Sequence, residues 1–84
     1  SIDRLLISPT RVLAVDFKSN QIVPSEVAQV PSGLLRQMGA YAAALSQIYP
    51  HHDIETAILW TKTLELMPLP PDLVISSLAN TSPA

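Results

Sequence analysis

Two aspartates and a lysine near the start of the chain have the types and spacing to do chemistry. Ile2-Asp3-Arg4-Leu5 opens one apolar run, Ile2 to Ile7, and Val15-Asp16-Phe17-Lys18 closes the next, Val12 to Phe17. Ser8-Pro9-Thr10-Arg11 between them reads as a tight turn, with Pro9 where its fixed φ is already suitable. Pairing Ile7 with Val12 and counting back sets Asp3 opposite Asp16, side-chain roots about 5 Å apart. Lys18, two steps on, shares the face of Asp16. Facing like charges weaken a hairpin, so the pair implies a cation or a proton between them. One or two carboxylates with phosphate and water are a usual holder of Mg²⁺, which activates water and offsets phosphoryl charge. A lysine beside it orients water or stabilises charge as a point cation. The same three residues also read as a surface acid pair with an ordinary ion pair.

Gln37 and Tyr41, four apart, share a helical face and carry donors suited to a phosphate or a metal-bound water. Their plainer reading is a surface Gln beside a core Tyr. Arg36 is either a phosphate contact or simply solvated. His51-His52-Asp53 follows Pro50 in a loop, where sequence neighbours seldom converge on a metal without further ligands. Trp60 reads as core. With Gly33 and Gly39 the only glycines, no phosphate loop or dinucleotide fingerprint exists.

The elements that position these residues follow from periodicity. After the hairpin, residues 19–31 are polar, broken by Pro24 and Pro31, and read as an extended loop. Ser32 is a candidate N-cap for a helix to about Tyr49, with Leu34, Met38, Tyr41, Leu45 and Ile48 as its buried stripe. Gly39 and Ala40, Ala42, Ala43 and Ala44 would let that helix approach a sheet closely. Residues 55–61 (ETAILWT) form a third strand buried on both faces. Lys62-Thr63 turns into a short strand, Leu64 to Met67, and Pro70-Pro71-Asp72 starts a helix around Leu73 to Leu78. Residues 79–84 read as a flexible tail. The predicted fold is α/β: a mixed sheet with an antiparallel hairpin, a right-handed strand–helix–strand crossover and a helix on one face.

The 84 residues suffice for at most one small domain. Nearly half are apolar (48%) and only 14% are charged, too little polar surface for a free-standing protein this small. With no initiator Met, the chain reads as a piece of something larger. No cysteine is present, which excludes disulfides and thiolate metal sites. Apolar runs fall short of a membrane span and no signal peptide is evident, so no membrane partner and a cytoplasmic setting are expected. A net charge of −2 argues against a broad basic nucleic-acid surface but not against a local site.

Taken in order, Ile2-Asp3-Arg4-Leu5, Val15-Asp16-Phe17-Lys18-Ser19-Asn20, Leu35-Arg36-Gln37-Met38-Gly39-Ala40-Tyr41 and Ala57-Ile58-Leu59-Trp60-Thr61 resemble the RecB-like branch of the PD-(D/E)XK nuclease superfamily. The match looks closest to the C-terminal nuclease domain of the bacterial AddA-type helicase-nucleases. It covers the chain to about Pro70. The resemblance implies a restriction-endonuclease-like core truncated on its N-terminal side, with residues 1–78 the later part of one nuclease domain. A first helix, a strand and a His of the family pattern lie outside this sequence, and the fragment alone is expected to have little nuclease activity and to associate through its open sheet. By the same resemblance Asp3 and Asp16 are metal ligands joined by the Phe17 carbonyl, for Mg²⁺ or Mn²⁺. Lys18 is the catalytic lysine, and Gln37 and Tyr41 complete the site from the helix. The implied activity is metal-dependent (exo)deoxyribonuclease action in double-strand break repair. DNA, attached ATP-driven helicase domains and a second nuclease subunit are the implied partners, in a bacterial cytoplasm. The competing expectation is a non-catalytic module of the same fold that docks DNA or a partner subunit.

Overall fold

The computed structural model describes residues 2–79. Its elements are β1 (Arg4–Ile7), β2 (Arg11–Lys18), a 3₁₀ turn (Val27–Gln29), α1 (Ser32–Ile48), β3 (Asp53–Trp60), β4 (Glu65–Leu69) and α2 (Pro71–Ala79). The four strands form one mixed sheet in the order β1-β2-β3-β4. β1 and β2 are antiparallel, β2 and β3 parallel, and β3 and β4 antiparallel. The expected α/β class and mixed sheet are therefore present, and the helix between β2 and β3 does join parallel strands.

The first turn forms as its residues dictate. The Ser8 amide donates to the Arg11 carbonyl at 2.9 Å, and the Ser8 hydroxyl accepts from the Arg11 amide at 3.1 Å. The register pairs Ile7 with Val12 and Arg4 with Val15. There the ladder stops. The Asp3 amide bonds the Val15 carbonyl at 3.2 Å, and the Asp3 carboxylate accepts from the Phe17 amide at 2.8 Å. A side chain thus takes the place of the next rung, and β1 begins at Arg4 rather than Ile2.

Other boundaries shift for local reasons. β3 starts at Asp53, earlier than expected, because the Asp53 amide pairs with the Thr10 carbonyl at 2.8 Å. β4 runs to Leu69 rather than ending at Met67. Ser32 is the first helical residue rather than a cap, since Pro31 precedes α1 and its carbonyl accepts from the Leu34 and Leu35 amides. Pro70 plays the same part for α2, whose first turn carries Asp72 at the positive end of the helix dipole. Ala79 is helical, and the rest of the expected tail lies outside the described residues.

The helices share one face of the sheet. Val12 and Ala14 of β2 pack under Leu45, while Ile58 and Trp60 of β3 pack under Leu35, Met38 and Ala42. Trp60 is fully buried, as expected of core. Of the predicted stripe of α1, Met38 and Leu45 are buried, but Leu35 and Ala42 join them in place of Leu34 and Tyr41, which are half-buried, and Ile48, which is exposed. The small residues account for the rotation. Gly39 lies against the Val74 carbonyl and the Leu78 side chain, so its missing Cβ admits α2 rather than the sheet.

The opposite face presents Leu6, Leu13, Phe17, Leu59, Leu66 and Pro68, with no element laid across it among the described residues. The backbone alternation along β3 turns Met67 toward Ile58 and leaves Pro68 facing outward from the β4 edge. At the other edge every residue of β1 is exposed.

Candidate active site

β2 sets the geometry. Its alternation puts Val12, Ala14, Asp16 and Lys18 on the helix-covered face and Phe17 on the open one. Asp16 sits one pleat beyond the apolar pair and is 3% exposed, one of two buried polar residues among those described. Its strand neighbour in β3 is Ile58, fully buried, so little solvent reaches the carboxylate from that side.

Lys18 brings its ammonium to 3.0 Å from Asp16 Oδ2. The approach is off the angle of a hydrogen bond, and Oδ2 is otherwise without a hydrogen-bond partner among the described residues. Asp3, held by the Phe17 amide, places its carboxylate against that of Asp16. The two acids move in opposite directions. Burial first, then contact with Asp3, raises the Asp16 carboxyl above its ordinary value of 3.8. The Phe17 amide, then Asp16, lowers Asp3 below the same value. Such opposed shifts arise where two carboxylates in contact share one proton.

Of the residues singled out in the sequence, Asp3, Asp16 and Lys18 are thus brought together. The Phe17 carbonyl lies on the β1 side of β2, the edge that Asp3 occupies. Tyr41 is half-buried against the larger core cluster, and its hydroxyl is buried without a partner among the described residues. The buried indole nitrogen of Trp60 is unpartnered in the same way, so the hydroxyl by itself does not separate a ligand-binding tyrosine from a core one. Gln37 is exposed, and no hydrogen bond joins it or Tyr41 to the carboxylates. Arg36 is exposed as well.

The histidines do not form a site. The Tyr49 and His52 rings meet edge to face at 5.3 Å, and among the described residues no group of three or more His, Cys, Asp or Glu could hold a metal. The oxygen-only donor set of Asp3 and Asp16 is of the type that could hold Mg²⁺ or Mn²⁺ with most of its water, and Asp16 Oδ2 is at present ion-paired with Lys18.

Thr61, read from the sequence as the end of the third strand, was given no role at the site. Its amide donates to the Lys18 carbonyl at 2.8 Å and its hydroxyl to the same oxygen at 3.2 Å, anchoring the lysine from the neighbouring strand. The available signal was its place one residue past a parallel strand, opposite the end of the Asp-x-Lys motif. The largest of the mapped cavities, about 580 Å³, lies instead on the open sheet face around Leu13, Glu55, Ala57 and Pro68. It contains no group able to do acid–base or metal chemistry beyond the Arg11–Glu55 ion pair. Comparison with protein-family models, curated proteins and solved structures finds no match. No helix among the described residues is long and apolar enough to cross a membrane.

Proposed function

We propose that this chain carries the active-site part of a metal-dependent deoxyribonuclease of the RecB-like PD-(D/E)XK kind. On this reading it belongs to the nuclease module of a bacterial, cytoplasmic AddA-type helicase-nuclease acting in double-strand break repair, with DNA as substrate. Attached helicase domains and a second nuclease subunit are its partners. The carrying observation is the Asp16 carboxylate, buried against Asp3 and a lysine at the end of a strand where a structural role offers no reason for two acids.

Asp3 and Asp16 are the residues that would hold Mg²⁺ or Mn²⁺, with the Phe17 carbonyl beside them. The ion would supply Lewis-acid charge and a bound water of lowered pKa. Asp3 is oriented for this by the Phe17 amide, which fixes one oxygen and leaves the carboxylate ionised. Lys18, ion-paired with Asp16, would orient water or stabilise charge on a phosphodiester from beside the carboxylates. Tyr41 and Gln37 would donate to substrate or water from the helix-covered side.

Two measurements test the reading. In the full-length helicase-nuclease, Asp16→Ala should abolish DNA cleavage and leave ATP-driven unwinding intact. Cleavage at the wild-type rate in that variant overturns the assignment. Mn²⁺ titration of this chain should show binding that disappears in Asp3→Asn; a non-catalytic docking module would bind no metal in either form.

A further inference from the structure

Beyond the end of β3, the chain ties itself to the end of β2 twice. Thr61 bonds the Lys18 carbonyl through both its amide and its hydroxyl. The next residue, Lys62, donates from its ammonium to Gln21 Oε1 at 2.8 Å, joining the β3–β4 turn to the segment that leaves β2. That turn closes on Leu64 at φ 59°, a left-handed conformation that leucine rarely adopts. The Leu64 side chain is 78% exposed, so its own packing does not hold it there. Strained backbone of this kind clusters at ligand-binding and active sites.

Charge distribution points the same way. Among the described residues Arg11 is paired with Glu55 and Lys18 with Asp16, while Arg4, Arg36 and Lys62 make no ion pair; of these three, Lys62 alone has its side chain fixed by a hydrogen bond. Its fixed partner is a neutral amide oxygen. An ammonium has three donors, so Lys62 is held in place with its charge unspent and donors left over. It also stands beyond the carboxyl ends of the two parallel strands, where open α/β sheets collect their ligands.

We propose that Lys62, steadied by Gln21, contacts a backbone phosphate of the nucleic acid strand next to the phosphate that faces Asp3, Asp16 and Lys18. The proposal deepens the nuclease reading and rests on it for the identity of the ligand. Lys62 touches the strand without reading its sequence and sets its register over the carboxylates.

The test is the salt dependence of binding of this chain to a fluorescent oligothymidylate, followed by anisotropy. Each phosphate contact on a single strand contributes about 0.7 to the slope of log affinity against log salt. Lys62→Gln should lower the slope by about that amount and weaken binding several-fold at low salt, while Lys62→Arg keeps both. Gln21→Ala retains the charge, so affinity falls and the slope stays. Circular dichroism of each variant should match wild type, since Gln21 and Lys62 are exposed. An unchanged slope and affinity in Lys62→Gln overturns the proposal, and so does a wild-type chain that does not bind the oligonucleotide. Asp16→Asn in the full-length protein separates the two readings: if cleavage persists while Lys62→Gln still lowers the slope, the nuclease assignment fails and the phosphate contact stands.

Discussion

At neutral pH the Asp16 carboxyl has to lose its proton inside the protein and beside Asp3, which opposes folding. Because its folded pKa is raised, its effect on stability is absent below the ordinary value of 3.8 and grows unfavourable as pH rises from there through the folded value. Asp3 has the opposite sign: its lowered pKa stabilises above 3.8, and that contribution is lost as pH falls below it. Urea unfolding at successive pH values should therefore show wild type losing stability relative to Asp16→Asn as pH rises above about 4, with the variant the more stable of the two at pH 7. Tyr41→Phe poses the same question from the helix. Removing a buried hydroxyl that has no partner should be neutral or stabilising by up to about 1 kcal/mol, while cleavage by the full-length protein falls at least about tenfold. A large loss of stability would make Tyr41 an ordinary core residue.

α1 contains both glycines, and they should respond oppositely to alanine. Around Gly33 no atom lies within 4 Å of an added Cβ, so Gly33→Ala gains helix propensity and should stabilise by several tenths of a kcal/mol. At Gly39 the added Cβ meets the Val74 backbone of α2, which cannot rotate away. Overpacking of about 1–3 kcal/mol against a propensity gain of about 1 kcal/mol means that thermal unfolding should report a net loss of up to about 2 kcal/mol. This crossing also marks where the sequence ceased to be legible. The hairpin register followed from Ser8 and Pro9 because a tight turn is local, and Asp16 and Lys18 followed from that register. Asp3 was placed near Asp16 correctly, but the replacement of a backbone rung by its carboxylate depends on side-chain geometry that no period encodes. Met38 and Leu45 of the α1 stripe were legible, but its flanks were misread because Gly39 is silent on a hydrophobic scale, and its role appears only once α2, more than thirty residues on, lies against it. Lys62 read as a mere turn residue because its partner, Gln21, is contributed by a distant loop.

Over the whole molecule, the sheet has two dissimilar margins. On β4, Pro68 faces outward and removes the donor that an incoming strand would need. On β1, Leu5, Leu6 and Ile7 are exposed and no proline interrupts the strand. Pro68→Thr should make solutions of this chain scatter light progressively with concentration, because it opens the guarded margin; unchanged scattering would show that β4 is protected by other means. In the natural sequence any added strand joins at β1 alone. Two copies that meet there use up both available margins and close as a pair about a two-fold axis, whereas an endless fibril needs every copy to accept a neighbour on each side. One proline therefore sets an upper limit on how far this sheet can propagate.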